Sequence, residues 1–316
     1  LKMTADSTLE LENTPWLTYI LENYSMYTIG PLTLMIILSI LYYPAIVFFF
    51  ISYSSSAFYF IYKKIANLPE DTNSEQWDKP KQVVTFVHDT IGKFLHGYEV
   101  CGLENLPEGP AVLIFYHGVP VDYYLLVLRI YRLTGRFCYS TVDHAVFTIP
   151  GLKIFLHAHR VDHPTREECV EILKEGNLLG IGPGGVREQN YGDNNYKLIW
   201  RKRKGFADVA IKAKVPIIPV FTQNIREAYR IYGNTRIMRW LYEKTRIVFF
   251  PGYGLLPVKL RTHIGQPIPY DPNITIEELV EKTKAAVESL RDRHQKIPGS
   301  IWRALKERFD WLHKYE

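Results

Sequence analysis

The chain has 316 residues and a formal charge of +5, with a mass of 36.8 kDa. Hydrophobic residues make up 47% and charged residues 22%, which excludes wholesale disorder. A mean hydropathy of −0.11 excludes a polytopic membrane protein, and a pI of about 8.9 is too mild a basicity to indicate a nucleic-acid partner. Such a balance fits work near anionic lipid or on phosphorylated ligands. The three cysteines, Cys101, Cys138 and Cys169, are isolated, so no disulfide framework is expected and a reducing, cytosol-facing environment is.

Residues 1–22 form a polar tail carrying Asp6, Glu10, Glu12 and Glu22. No charged residue and no histidine then occurs from Asn23 to Tyr62, and within this gap Pro31 to Ser52 is an apolar run of 22 residues. Crossing the hydrocarbon takes about 20 residues. The run is too long and starts too far in for a cleavable signal peptide, and no basic region leads it. A buried soluble helix would need apolar neighbours on every side. Residues 23–64 are therefore expected to be a membrane anchor. Lys63-Lys64 closes it and places the rest of the chain in the cytosol by the positive-inside rule. From Pro31 to Tyr62 a helix would be about 48 Å long, against about 30 Å of hydrocarbon. One tilted helix fits, and so does a shallow hairpin bent at Tyr43-Pro44. A single crossing puts residues 1–22 in the lumen; a hairpin keeps them cytosolic.

Residues 65–316 read as one globular unit. Trp77–Val100 has helical spacing, with Val83, Val84, Val87, Ile91, Phe94 and Leu95 as its apolar positions. Pro110–Tyr116 is a short apolar run suited to a buried strand, and Asn177–Ile181, Val215–Phe221 and Arg246–Phe250 repeat the pattern. Helical segments at Arg166–Glu175 and Gly205–Ala213 separate them. Alternation of this kind indicates an α/β fold with a sheet flanked by helices. Ile274–Gln295 is a charged amphipathic helix. The final stretch, Ile301–Tyr315, places Ile301, Trp302, Leu305, Phe309 and Leu312 on one face, for the core or for a membrane surface.

The chemistry-bearing residues follow the strand ends. His117-Gly-Val-Pro-Val-Asp122 leaves the strand at Pro110–Tyr116, where active sites of α/β folds collect. A carboxylate five positions on, across a turn, can fold back on the imidazole as a base–orienter pair. The plain alternative is a loop histidine and a helix-capping aspartate. Gly182-Pro-Gly-Gly185 is a turn whose glycines bring backbone N–H groups close to developing negative charge. Arg160 and Arg187 are candidates for binding phosphate groups. Arg201-Lys-Arg-Lys204 reads first as a solvated basic face. The sequence neighbours His144, His157, His159 and His163 lack zinc-ligand spacing, and no metal is expected. Neither a P-loop nor a Gly-x-Ser-x-Gly elbow is present.

In their order, the His117–Asp122, Gly151–Arg160, Ile181–Glu188 and Val215–Phe221 segments resemble the four blocks of the glycerolipid (lysophospholipid) acyltransferase superfamily. The likeness spans roughly residues 76–270. Further runs, among them His96–Val100, Arg203–Ala207 and Trp240–Lys244, are similar to the membrane-bound branch called transmembrane protein 68, related to the mono- and diacylglycerol acyltransferases. The resemblance implies a mixed, largely parallel sheet flanked by helices behind an N-terminal transmembrane segment. It implies catalysis by His117 as general base with Asp122 orienting it. Substrate contacts would come from Arg160, Pro183, Gly184, Gly185, Arg187 and Glu188. The third block departs from the phosphatidic-acid-forming pattern, because Gly184 stands where a Glu is usual and Glu188 follows the Arg. A neutral acceptor, mono- or diacylglycerol, is then expected, with acyl-CoA as co-substrate and no bound cofactor. Lysophosphatidic acid as acceptor, a phospholipid as acyl donor, and a non-catalytic lipid-binding protein on the same fold are the alternatives. The endoplasmic reticulum membrane is the expected location, with the catalytic domain facing the cytosol.

Overall fold

The computed structural model describes residues 15–245 and 252–309. Most of the polar tail, the strand read at 246–250 and the end of the C-terminal stripe at Leu312 lie outside them.

Helix α1 (Pro15–Ala66) runs unbroken through Pro31 and Pro44. No hairpin forms at Tyr43-Pro44, and residues 15–22 belong to the helix. Its span Ile29–Ala66 is long and apolar enough to cross a membrane. The excess length has a structural reason. From Ile29 to Ile40 every residue is exposed, whereas beyond Leu41 the helix lies against the rest of the chain and buries Ser52, Ser55, Ser56 and Tyr59. About 20 charge-free residues thus precede the docked half, the number one crossing needs.

After α1 come α2 (Asp78–His96), β1 (Glu99–Cys101), β2 (Ala111–Phe115), α3 (Pro120–Thr134) and β3 (Cys138–Thr141). Then follow α4 (Lys153–Ala158), β4 (Val161–Asp162), α5 (Arg166–Lys174), β5 (Leu178–Ile181), α6 (Gly185–Tyr191) and α7 (Gly205–Ala213). The chain continues through β6 (Ile217–Gln223), α8 (Ile225–Ala228), β7 (Arg230–Ile231), α9 (Arg236–Thr245), β8 (Gly252–Tyr253), β9 (Arg261–Ile264), α10 (Ile276–His294) and α11 (Ile301–Phe309). Seven strands form one sheet in the order β1-β9-β6-β2-β5-β3-β4. The β6, β2, β5, β3 and β4 strands are mutually parallel. The β9 strand runs antiparallel to β6 and parallel to β1. This is the mixed, largely parallel sheet expected. β2 and β6 are buried at every residue, as strands covered on both faces must be. Strands β7 and β8 make a separate antiparallel pair that holds α1.

Two segments depart from their expected faces. Along α2 the apolar residues Val83, Phe86, Val87 and Phe94 are exposed, while Lys81, Thr85, His88 and Asp89 point inward. Polar partners decide this. Asp89 takes hydrogen bonds from Arg129 at 3.1 Å and Arg132 at 2.5 Å, and His88 bridges Ser55 of α1 (3.0 Å) to Tyr124 of α3 (2.5 Å). In α11, Ile301 and Leu305 pack on the core, but Trp302 and Phe309 face outward. Helix α10 starts on a Thr275–Glu278 capping box.

The docking of α1 is tight where Pro44 meets Gly254. A Cβ at Gly254 would come within 2.7 Å of Pro44 Cγ and 2.5 Å of the Tyr229 ring. Gly254→Val should therefore lever α1 off the β7–β8 pair without touching the sheet. Limited proteolysis is expected to cut faster around residues 41–56 in that variant, and an unchanged pattern would show that the contact is loose.

Candidate active site

Strand β2 ends at Phe115, and the chain turns sharply before Pro120 opens α3, a position where a missing N–H costs nothing. His117 sits in this turn and Asp122 in the first turn of α3. Asp122 is buried at 1% exposure, and Val119, not Asp122, is the capping residue. His117 remains partly exposed, although its Nδ1 is enclosed. No hydrogen bond joins the two side chains. His117 Nδ1 and Asp122 Oδ2 are both buried without a partner. Asp122 Oδ1 instead accepts from the Tyr123 N–H at 2.7 Å. The expected base–orienter bond is thus unmade in this state. Such bonds often tighten only when substrate binds.

Burial dominates the electrostatics. It pushes the His117 imidazole down to about 4, helped by the cationic Arg226 and Arg203. Burial pushes the Asp122 carboxyl up to about 7, opposed by backbone hydrogen bonds and by Arg226. At neutral pH the imidazole is therefore unprotonated and able to accept a proton.

The glycine turn lies against the imidazole. A Cβ on Gly182 would be 3.0 Å from His117 Cδ2. Within the turn, Gly185 N–H donates to Gly182 O at 3.0 Å, and Arg203 donates to Pro183 O at 2.8 Å. Arg203, read in the sequence as one charge of a solvated run, is therefore part of the site's frame.

Glu188, expected among the substrate contacts, points inward. It is fully buried, and its carboxylate accepts the backbone N–H of His117 at 2.9 Å and of Ile199 at 2.7 Å. A Cβ on Gly184 would fall on this carboxylate. Gly184 is thus what leaves room for the Glu188 carboxylate. Beneath it Arg226, at 1% exposure, donates to Tyr116 Oη at 2.9 Å, Gln189 O at 2.7 Å and Glu188 O at 2.5 Å. Tyr116 and Arg226, which the sequence reading did not single out, support the turn that carries His117.

The two arginines expected on substrate are engaged elsewhere. Arg187 makes a two-pronged pair with Glu243 of α9, at 2.9 and 3.1 Å. Arg160 turns to the amino-terminal ends of β3 and β5, bonding Asn177 Oδ1 at 3.1 Å and covering the Tyr139 ring. His117 lies at the other end of the sheet. The four clustered histidines disperse, His159 into the core beside His88 and His144 beside His163, and no group of metal-ligating residues forms among the described residues.

An apolar space completes the site. Two cavities of about 90 and 80 Å³ lie between α1 and the domain, sharing Pro44, Phe48, Val121 and Tyr229 as walls. Val121 directly precedes Asp122, so the apolar space reaches the catalytic turn.

A histidine and a buried aspartate at the end of a central strand, beside a glycine turn and an apolar cleft, are groups that acyl transfer could use. Comparison with known proteins agrees: residues 97–223 match the family model described as Acyltransferase. The chain belongs to this acyltransferase family and is an acyltransferase. Relatives include proteins named "DGAT1/2-independent enzyme synthesizing storage lipids" from Bos taurus and Homo sapiens. Each is 50% identical over 289 residues, covering 91% of this chain and 84% and 88% of theirs. The human "Acyl-CoA wax alcohol acyltransferase 1" is 30% identical over 175 residues, 47% of this chain and 53% of that protein. The crystal structure of the PlsC acyltransferase from Thermotoga maritima aligns with a TM-score of 0.46 at 16% identity, over 77% of this chain and 96% of that one.

Replacing Glu188 by Gln would point an amide N–H₂ at one of two backbone donors. Stability should fall by about 1–3 kcal/mol, the usual cost of a buried unmet donor, and the turn carrying His117 should loosen. Denaturant unfolding and acyl-transfer rate together check this; a variant of native stability would show that the carboxylate is not holding the turn.

Proposed function

We propose that this chain transfers a fatty acyl group from acyl-CoA to a hydroxyl of mono- or diacylglycerol, giving di- or triacylglycerol. The observation that carries the acceptor class is the Arg187–Glu243 pair. A lysophosphatidic acid would need a free cation at the third block, and that arginine is already neutralised, so an uncharged acceptor fits better. The names of the relatives, which speak of storage lipids, point the same way.

The step needs little machinery. His117 takes the proton from the acceptor hydroxyl as its oxygen attacks the thioester carbonyl. Asp122, drawn onto Nδ1 as the site closes, holds the tautomer and stabilises the imidazolium. The glycine turn and the Arg203 cation face the charge developing on the carbonyl oxygen. Collapse breaks the carbon–sulfur bond, and the coenzyme A thiolate leaves with the proton from His117. No covalent enzyme intermediate is required.

Acyl chains reach the turn through the apolar space beside Val121, whose outer wall is α1. The exposed part of α1 crosses the bilayer, and the apolar outer face of α2 (Val83, Phe86, Val87, Phe94) rests on the lipid surface. Lys63 and Lys64 stay with the catalytic domain on the cytosolic side of the endoplasmic reticulum, where acyl-CoA is met. In this arrangement the residues before α1 lie in the lumen.

His117→Ala should lower acyl transfer by several orders of magnitude while membrane association persists; full activity would overturn the assignment. Assays pairing acyl-CoA with diacylglycerol and with lysophosphatidic acid should favour the neutral acceptor, and a preference for the phosphorylated one would reverse the reading. The pH profile supplies an independent check. Only the unprotonated imidazole is a base, so kcat/KM should fall as pH drops through the His117 value, near pH 4. An acid limb near 6.5 would mean that His117 already pairs with an ionised Asp122.

A further inference from the structure

A cavity of about 830 Å³ lies away from the turn that carries His117. It opens at the amino-terminal ends of β3 and β5, bounded by the first half of α2 and the end of α3. Lys81, Arg132, Arg136 and Arg160 line it against two carboxylates, Glu75 and Asp78. Two of the cations have other work: Arg132 is bonded to Asp89, and Arg136 donates to the Pro107 and Gly109 carbonyls. Lys81 and Arg160 are different.

Lys81 is 1% exposed. Its ammonium faces the Phe137 ring at 5.4 Å and the cavity that Lys81 lines. Asp78 and Asp71 favour its charge from a distance, while burial and Arg160 oppose it and bring it down to about 8, still protonated at neutral pH. Arg160 Nε is buried without a partner. A largely enclosed ammonium beside a half-satisfied guanidinium is costly in a folded chain. It becomes favourable when an anion occupies the cavity between them. The size suits a nucleotide-sized or headgroup-sized ligand, and the stacked Tyr131 and Phe137 rings (3.8 Å) give it an apolar wall.

We propose that this cavity binds a multiply charged phosphate group through Lys81 and Arg160, at a site separate from the catalytic turn. The same chemistry is borne by soluble phosphorylated metabolites and by anionic lipid headgroups. The exposed apolar residues of α2 border the cavity at Phe86, which leaves the headgroup route open.

The test uses the full chain in detergent or in vesicles. Titration with inorganic pyrophosphate followed by calorimetry forms one arm. Flotation with phosphatidylcholine vesicles, with and without phosphatidic acid, forms the other. Saturable binding in either arm, weakened about tenfold or more by Lys81→Met, supports the site, and the arm that responds identifies the source. Lys81→Met should also melt higher than the wild type without ligand, because a largely enclosed charge is gone, and should keep basal acyl transfer. If that variant fails to fold, Arg160→Gln carries the same loss of binding. Absence of binding in both arms, binding unchanged by both substitutions, or pyrophosphate inhibition strictly competitive with acyl-CoA would overturn a separate site.

Discussion

The carboxylate of Glu188 is the interaction on which the site's geometry rests. A buried carboxylate must be met by donors, and here the donors are the backbone N–H groups of His117 and Ile199. Meeting them ties the end of β2, the start of α6 and the segment leading to α7 into one arrangement. Burial pushes Glu188 up to about 7, with the two backbone donors and the Arg226 and Arg203 charges opposing. The network beneath it has the same character. Arg226 spends its donors on a tyrosine hydroxyl and two backbone carbonyls, and the neighbouring Tyr196 bonds Glu227 and accepts from the Arg226 N–H. Low dielectric makes each bond costly to lose, so the turn carrying His117 inherits its rigidity from these buried polar groups.

Helix α1 adds a second constraint. Its docked half is not a tether but a wall of the catalytic domain, linked through Ser55 and His88 to Tyr124. Tyr124 lies two residues beyond Asp122 on α3. The long apolar helix is thus in polar contact with the helix that carries Asp122. The apolar space beside Val121 exists only because α1 closes it.

The cations are sorted by their partners. Arg187 is neutralised by Glu243, Arg203 holds the glycine turn, and Arg160 faces away to the opposite end of the sheet. A basic sequence run therefore says little about where positive charge is available. That is decided by which carboxylates and carbonyls the fold brings to each guanidinium.

The central strands β2, β5 and β6 and the helices α5, α7 and α10 were legible as apolar runs and amphipathic periods, because full burial leaves a strong local pattern. Strands β1, β3, β4 and β9 are two to four residues long, and so short a run has no periodicity to read. Helix α2 shows the limit most plainly. Its valines and phenylalanines share a helical stripe, yet the side that packs carries His88 and Asp89, whose partners come from α1 and α3. The sequence by itself determined the α/β class, the charge-free helix and the His117–Asp122 turn, since these rest on composition and on neighbours within a few residues. Only the tertiary structure decided that the Glu188 carboxylate packs against Gly184 and holds the turn carrying His117, that Arg160 and Arg187 leave that turn, and that half of the apolar helix belongs to the domain. Each of these is a pairing between residues distant in sequence, fixed by burial and by the need of buried polar groups for partners.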